Sequence, residues 1–187
     1  MNVLFYGNMF QRIYAMNLWS ACFFMLILIL IWAILYQHFK KKRWAAINAI
    51  IFSLSTVVIL YATIMGRTSG DYELILMPFS TFTAARQQSE LYREMLMNVF
   101  LFFPLGLTLS NALPRKWRRW VRVILTTLIG CISSIGIERA QYRYALGMAE
   151  TDDVICNTLG AFTGSGSLLI AYAVEKFRAP KRTERKY

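Results

Sequence analysis

The chain has 187 residues, 57% hydrophobic, 15% aromatic and 17% charged, so its charges must cluster to leave long apolar runs. That pattern excludes an ordinary soluble domain and describes an all-α polytopic membrane protein. The formal net charge of +11 does not argue for nucleic acid, because most Lys and Arg fall in three short clusters flanking apolar runs.

Residues 1–17 form an aromatic, Met-rich lead with one basic residue, Arg12, suited to lie along the interface and too polar to span. Residues 18–36 carry no formal charge over about the length that crosses a bilayer core. Because the basic cluster Lys40, Lys41, Lys42, Arg43 follows this run rather than precedes it, the pattern is a retained span and not a cleaved signal peptide. A second span is expected over 45–65, where scattered Ser and Thr can bond to the helix's own carbonyls.

Residues 67–96 are mixed, and their apolar core LILMPF is short and interrupted by Pro78, which predicts an interfacial or re-entrant segment between the second and third spans. The third span, 97–113, contains Pro104 and Gly106, a place for a kink. A fourth is expected over 121–137 and a fifth over 154–174, which makes five transmembrane helices in one domain, 18–174. The tail, 175–187, is polar and basic.

The basic clusters occupy alternate connections. The loop after the first span, the loop holding Arg115 to Arg122, and the tail are basic; residues 67–96 and 138–153 carry more acid than base. The positive-inside rule then puts the amino terminus outside and the carboxyl terminus in the cytoplasm.

The polar residues of the last connection fall where they are costly. Glu138, Arg139, Gln141, Arg143, Glu150, Asp152, Asp153 and Asn157 lie between or within apolar runs of spanning length. Carboxylates capping a helix start account for some of them but less well for the whole set. Gly130, Ser134 and Glu138 share one helical face, two small residues with a carboxylate at their end. Gly160 and Gly164 repeat the small-residue device, Asp153 and Asn157 are a polar pair one turn apart, and the last two spans are expected to pack together. Cys22, Cys131 and Cys156 read as small buried hydrophobes. With His38 the sole histidine, there is no metal site and no His-activated nucleophile in the pattern, and no cofactor motif.

MNVFLFFPLG at 97–106, ERAQ at 138–141, DDVICNTLGAFTG at 152–164 and MPF at 77–79 together resemble the VanZ family of bacterial membrane proteins, over roughly the last two thirds of the chain. The resemblance implies a small helical protein of the bacterial cytoplasmic membrane. The founding member of the family gives low-level resistance to the lipid-bearing glycopeptide teicoplanin. It also implies a polar signature on Asn98, Pro104, Gly106, Glu138, Gln141, Asp152, Asp153, Asn157, Gly160 and Gly164. Many relatives carry an Arg shortly before the acidic pair, where this chain has Gly147, Met148, Ala149 and Glu150; if that Arg binds an anionic group, Arg139 or Arg143 would have to substitute for it.

Three readings of the cluster stay open. It can be an outward-facing polar pocket for an amphiphile, such as a membrane lipid, a lipoglycopeptide or a cell-wall lipid precursor. It can be an enzyme site whose carboxylates act as acid and base or hold a divalent cation. It can also be a structural network at the outer face.

Overall fold

Five stretches of the chain are helical, long and apolar enough to cross a membrane: Ser20–His38, Lys41–Met65, Glu90–Ala112, Arg119–Tyr144 and Thr151–Phe177. The computed structural model describes residues 18–65, 73–85 and 89–178; the expected interfacial lead, 1–17, and the end of the basic tail lie outside the described residues. Helix α1 (Leu18–His38) is apolar on every side, as a helix facing lipid must be. A tight connection through Phe39 and Lys40 starts α2 (Lys41–Leu60), which ends in a π-helical turn, Tyr61–Met65. Ser53, Ser55 and Thr56 donate to carbonyls one turn back, so these polar groups are not exposed to hydrocarbon unpaired.

The expected interfacial segment contributes a two-residue strand β1 (Leu74–Ile75) and a one-turn helix α3 (Ser80–Ala84). Helix α4 (Ser89–Ala112) begins two turns before the apolar run that marks the third span and continues through Pro104. Its early turns mix Glu90, Arg93 and Glu94 with buried Met95, so hydropathy alone misses them. Helix α5 (Arg119–Tyr144) likewise outruns its apolar stretch, because Glu138 and Gln141 are buried against protein rather than lipid. It ends on Ala145 in the left-handed conformation (φ 50°), where the Leu146 N–H reaches back to the Gln141 carbonyl at 2.9 Å. Gly147, at φ 122°, completes the turn into strand β2 (Ala149–Glu150), a geometry that favours glycine. Helices α6 (Thr151–Ser165) and α7 (Ser167–Arg178) form the last span, separated by Gly166.

The centre of the bundle is α4 with α6. About half of each of these spans is inside the protein (56% and 50%), against 17% for each of the first two, which makes α1 and α2 peripheral. Helix α5 completes the central trio, α2 lies on α4, and α1 lies on α7. The last two spans do pack together, but the Gly160–Gly164 stripe of α6 faces α4. Backbones touch there: a Cβ on Gly160 would sit 2.2 Å from the Val99 carbonyl oxygen, and one on Gly106 would sit 2.1 Å from that of Ala161. Gly130 of α5 meets the Ala161 side chain from the other direction. Small residues thus let three helices converge on Ala161, which is wholly buried.

Candidate functional site

The acidic connections gather at one end of the bundle, and the structure shows what each side chain does there. Strand β1 pairs in parallel with β2, Leu74 opposite Ala149 and Ile75 opposite Glu150, and the Ala149 N–H donates to the Glu73 carbonyl at 2.9 Å. This stitches the interfacial segment to the turn between α5 and α6. The segment then turns at Phe79, whose backbone is left-handed (φ 63°), a conformation disfavoured for a residue with a bulky side chain. As the N-cap residue of α3, Phe79 has no side-chain acceptor of its own to offer the helix. Asp152 supplies the cap from a distant part of the chain. Its two carboxylate oxygens accept the N–H groups of Phe79 (2.6 Å) and Thr81 (2.8 Å), and the residue is only 1% exposed. One carboxylate therefore lies at the start of two helices, its own α6 and the short α3, where free N–H groups and the dipole favour it.

Glu150 accepts the Thr81 hydroxyl at 2.7 Å, and Thr151 donates to the Ile75 carbonyl at 3.3 Å. Glu138, at the end of the Gly130–Ser134 face, accepts the Glu150 N–H at 3.0 Å. Gln141, buried, donates to the Thr63 carbonyl at 3.0 Å in the π-helical turn of α2. Deeper in the bundle, Asn157 donates to the Ser134 hydroxyl at 2.9 Å, which ties α6 to α5. Of the sequence-selected residues, Glu138 and Asp152 are thus linked through Glu150 and Thr81, while Gln141 and Asn157 make separate ties to other helices and each keeps a buried amide oxygen without a hydrogen-bond partner among the described residues. Asp153 lies half-buried in the first turn of α6. Arg143 is exposed on the last turn of α5, and Arg139 is exposed too. Asn98, half-buried on α4, makes no side-chain hydrogen bond to a described residue. Pro104, Gly106, Gly130, Gly160 and Gly164 belong to the helix contacts below this layer.

What the layer holds in place is a groove. The interfacial segment overhangs α4 and α6, and between them opens a cavity of about 440 Å³ lined by Phe82 and Ala85 from the segment, Met95, Leu96 and Val99 from α4, and Cys156 and Leu159 from α6, with Tyr92 on its wall. The walls are apolar almost throughout. Asp153 precedes the lining residue Cys156 by one turn of α6, on the side of the acidic end. The segment's exposed tip, Leu76, Met77 and Phe79, presents apolar side chains outward (68%, 72% and 59% exposed), as a surface resting in a membrane interface does. Sequence reading selected the polar residues and missed the groove, because its lining residues are indistinguishable from any lipid-facing apolar side chains.

A second buried polar set lies at the basic end, and it too escaped the sequence reading. The indole N–H groups of Trp32 and Trp44 donate to Asn48 (2.8 Å) and Asn111 (3.2 Å), and Asn111 donates to the Ser167 hydroxyl at 3.1 Å. Arg122, 1% exposed, donates from Nε (3.0 Å) and Nη2 (2.6 Å) to the Ser110 carbonyl, one of the carbonyls that the end of α4 leaves unpaired. The signal available was two asparagines inside otherwise apolar runs.

Among the described residues no three His, Cys, Asp or Glu side chains gather as a metal site. The arrangement can hold an apolar chain beside a polar layer whose Glu138, Glu150 and Asp152 carboxylates are hydrogen-bonded within the protein. In comparisons with known proteins, the family model described as VanZ/LLP1 matches residues 23–172. No curated protein and no solved structure matches the chain.

Proposed function

The chain belongs to the VanZ/LLP1 family, and from that premise we propose that it binds the hydrocarbon tail of an amphiphile in the groove under the interfacial segment, with the polar head at the acidic end. The observation that carries this reading is the groove itself: about 440 Å³ of apolar space at the edge of a membrane-spanning bundle, walled on one side by a segment that Glu150, Thr151 and Asp152 fasten down. That volume is within the range of small-molecule sites, toward its lower end, and suits one chain rather than two. A lipoglycopeptide with a single acyl tail and a cell-wall lipid precursor are both amphiphiles of this kind. The Asp152 and Glu138 carboxylates accept backbone N–H groups and that of Glu150 accepts the Thr81 hydroxyl, which favours binding over acid–base catalysis.

The test compares two drugs that share a target and differ in the acyl tail. Expression in a susceptible Gram-positive host should lower susceptibility to teicoplanin and leave susceptibility to vancomycin unchanged. Leu159→Trp, which fills the groove from its half-open side, should abolish the difference with unchanged membrane abundance, since each displaced methylene forfeits about 0.8 kcal/mol of tail burial. Equal effects on both drugs, or none, would overturn the reading.

We place the acidic end, and with it the groove, on the outer side of the cytoplasmic membrane, on the alternation of basic and acidic connections. A reporter fused after Tyr187 should then be cytoplasmic and one inserted near Gly147 external; the reverse would move the groove to the inner leaflet.

A further inference from the structure

The end of the bundle remote from the groove holds cations that exceed their counterions. Arg115 lies 3.9 Å over the Tyr36 ring and donates Nη2 to the Tyr36 carbonyl at 3.0 Å, while its Nε is buried without a partner among the described residues. Arg119 lies 4.3 Å over the Tyr172 ring and pairs with Glu175. Arg122, one turn along α5 from Arg119, is buried. Among the described residues Glu175 is the one carboxylate at this end, so three guanidiniums share a single anion. Around them Lys40, Lys41, Lys42, Arg43, Lys116 and Arg118 are exposed. The Arg115–Tyr36 and Trp44–Asn111 hydrogen bonds bring the two loops that carry these residues side by side.

A loop-charge bias that only sets topology accounts for exposed lysines. It does not account for Arg115 and Arg119 held over aromatic rings, or for Arg122 kept in the interior, where an uncompensated charge is costly. Guanidiniums fixed in this way, with most of their charge unneutralised, are prepared for a phosphate. The surroundings select a lipid phosphate over a free one: Trp117 and Trp120 are exposed beside the cluster, 39% and 62%, as aromatic residues are at headgroup level. Below them Val121 and Ile124 offer an exposed apolar strip on α5 (47% and 58%) for the chains.

We propose that Arg115 and Arg119, within the collar of exposed Lys and Arg, bind the phosphate of an anionic phospholipid at the basic end of the bundle. The site is independent of the groove and of the orientation in the membrane.

The test uses the purified full chain in nanodiscs of phosphatidylcholine alone or with phosphatidylglycerol, with thermal stability and the lipid retained on gentle delipidation, read by native mass spectrometry, as readouts. Phosphatidylglycerol should be retained preferentially and raise the melting temperature, less so at high salt. Lys116→Gln and Arg118→Gln, both at exposed positions that the fold does not need, should each weaken the preference, by about fivefold per charge removed. Arg115→Gln should remove most of it, and its melting temperature in phosphatidylcholine alone reports separately on folding. Equal retention of the two lipids, or an undiminished preference in Lys116→Gln/Arg118→Gln, overturns the proposal. So does stabilisation of the detergent-solubilised protein by inorganic phosphate to the same extent, which would assign the site to a free anion.

Discussion

Gly164→Ala is expected to remove most of the folded protein from the membrane. A Cβ at this position would lie 2.2 Å from the Phe103 carbonyl oxygen and 2.6 Å from the Leu107 nitrogen, both backbone atoms of α4. No side-chain rotation relieves such a clash, so the helices must separate along the contact that forms the centre of the bundle. Overpacking ordinarily costs about 1 to 3 kcal/mol. Here the loss should reach or exceed the top of that range, because Gly160 and Gly106 lie in the same seam and their close approaches loosen with it. Gly136→Ala is the control: nothing lies within 4 Å of its would-be Cβ, and the substitution should be neutral or stabilise α5 by up to about 1 kcal/mol. Melting temperature in detergent and membrane abundance read both.

A double substitution separates backbone from side-chain contact within the same seam. At Gly130 a Cβ would meet the Cβ of Ala161 at 2.5 Å, whereas at Gly106 it would meet the Ala161 backbone. Ala161→Gly should therefore restore much of the stability lost in Gly130→Ala and none of that lost in Gly106→Ala. Equal rescue of both would show that the seam yields as a whole and that these approaches are not rigid.

The spans were legible because hydropathy reports contact with lipid, and five runs are long enough to make that contact. Their ends were not, for the same reason. Ser89 through Leu96 and Glu138 through Tyr144 are helical on the strength of contacts with protein, such as Met95 in the groove wall and Gln141 on the π-helical turn, which hydropathy does not register. The small residues announced close helix contacts without naming the partner. Gly160 and Gly164 are compatible with either neighbour, and only the fold shows that α4 takes them.

The polar layer was legible as a set of expensive residues and opaque as to use. The expectation weighed a ligand against acid–base chemistry and a structural network, and Asp152 spends both oxygens on backbone N–H groups of Phe79 and Thr81. Those partners carry no side-chain signature; any residue but proline offers the same N–H. The MPF motif becomes intelligible only beside Asp152: it is the turn that the carboxylate holds, with Phe79 in a left-handed backbone and its ring against Phe82 (5.6 Å between centroids), a groove-lining residue. Site and fold are coupled here, since the residues that fix the segment also shape the cavity.

Asp152→Ala is accordingly expected to free the interfacial segment while leaving the bundle assembled. The substitution leaves the N–H groups of Phe79 and Thr81 without acceptors and removes the compensation for a left-handed phenylalanine. Hydrogen bonds to a charged group contribute about 1.5 to 3 kcal/mol, and the backbone strain at Phe79 costs about 1 to 3 kcal/mol. Because α3 is a single turn whose other ties are the β1–β2 pairing, the Thr81–Glu150 and Thr151–Ile75 bonds and the packing of Phe82 and Ala85 on Met95, Val99 and Cys156, that loss is a large share of what fastens it. Amide exchange at Phe79, Thr81 and Thr83 should accelerate by about tenfold or more, while exchange across α4 and α6 stays near wild type. Asp152→Asn should be intermediate, since its amide oxygen can accept one of the two N–H groups but its NH2 must face the other. Asp152→Ala with Phe79→Gly should recover part of the protection, because glycine takes the left-handed turn without strain. The drug response follows the segment in this account: a variant that loses the Phe82 wall loses the groove, and activity should fall in Asp152→Ala with membrane abundance retained. Unchanged exchange at Thr81 would mean that strand pairing alone holds the segment and that Asp152 serves only its own helix. Accelerated exchange with full activity would detach the groove from function.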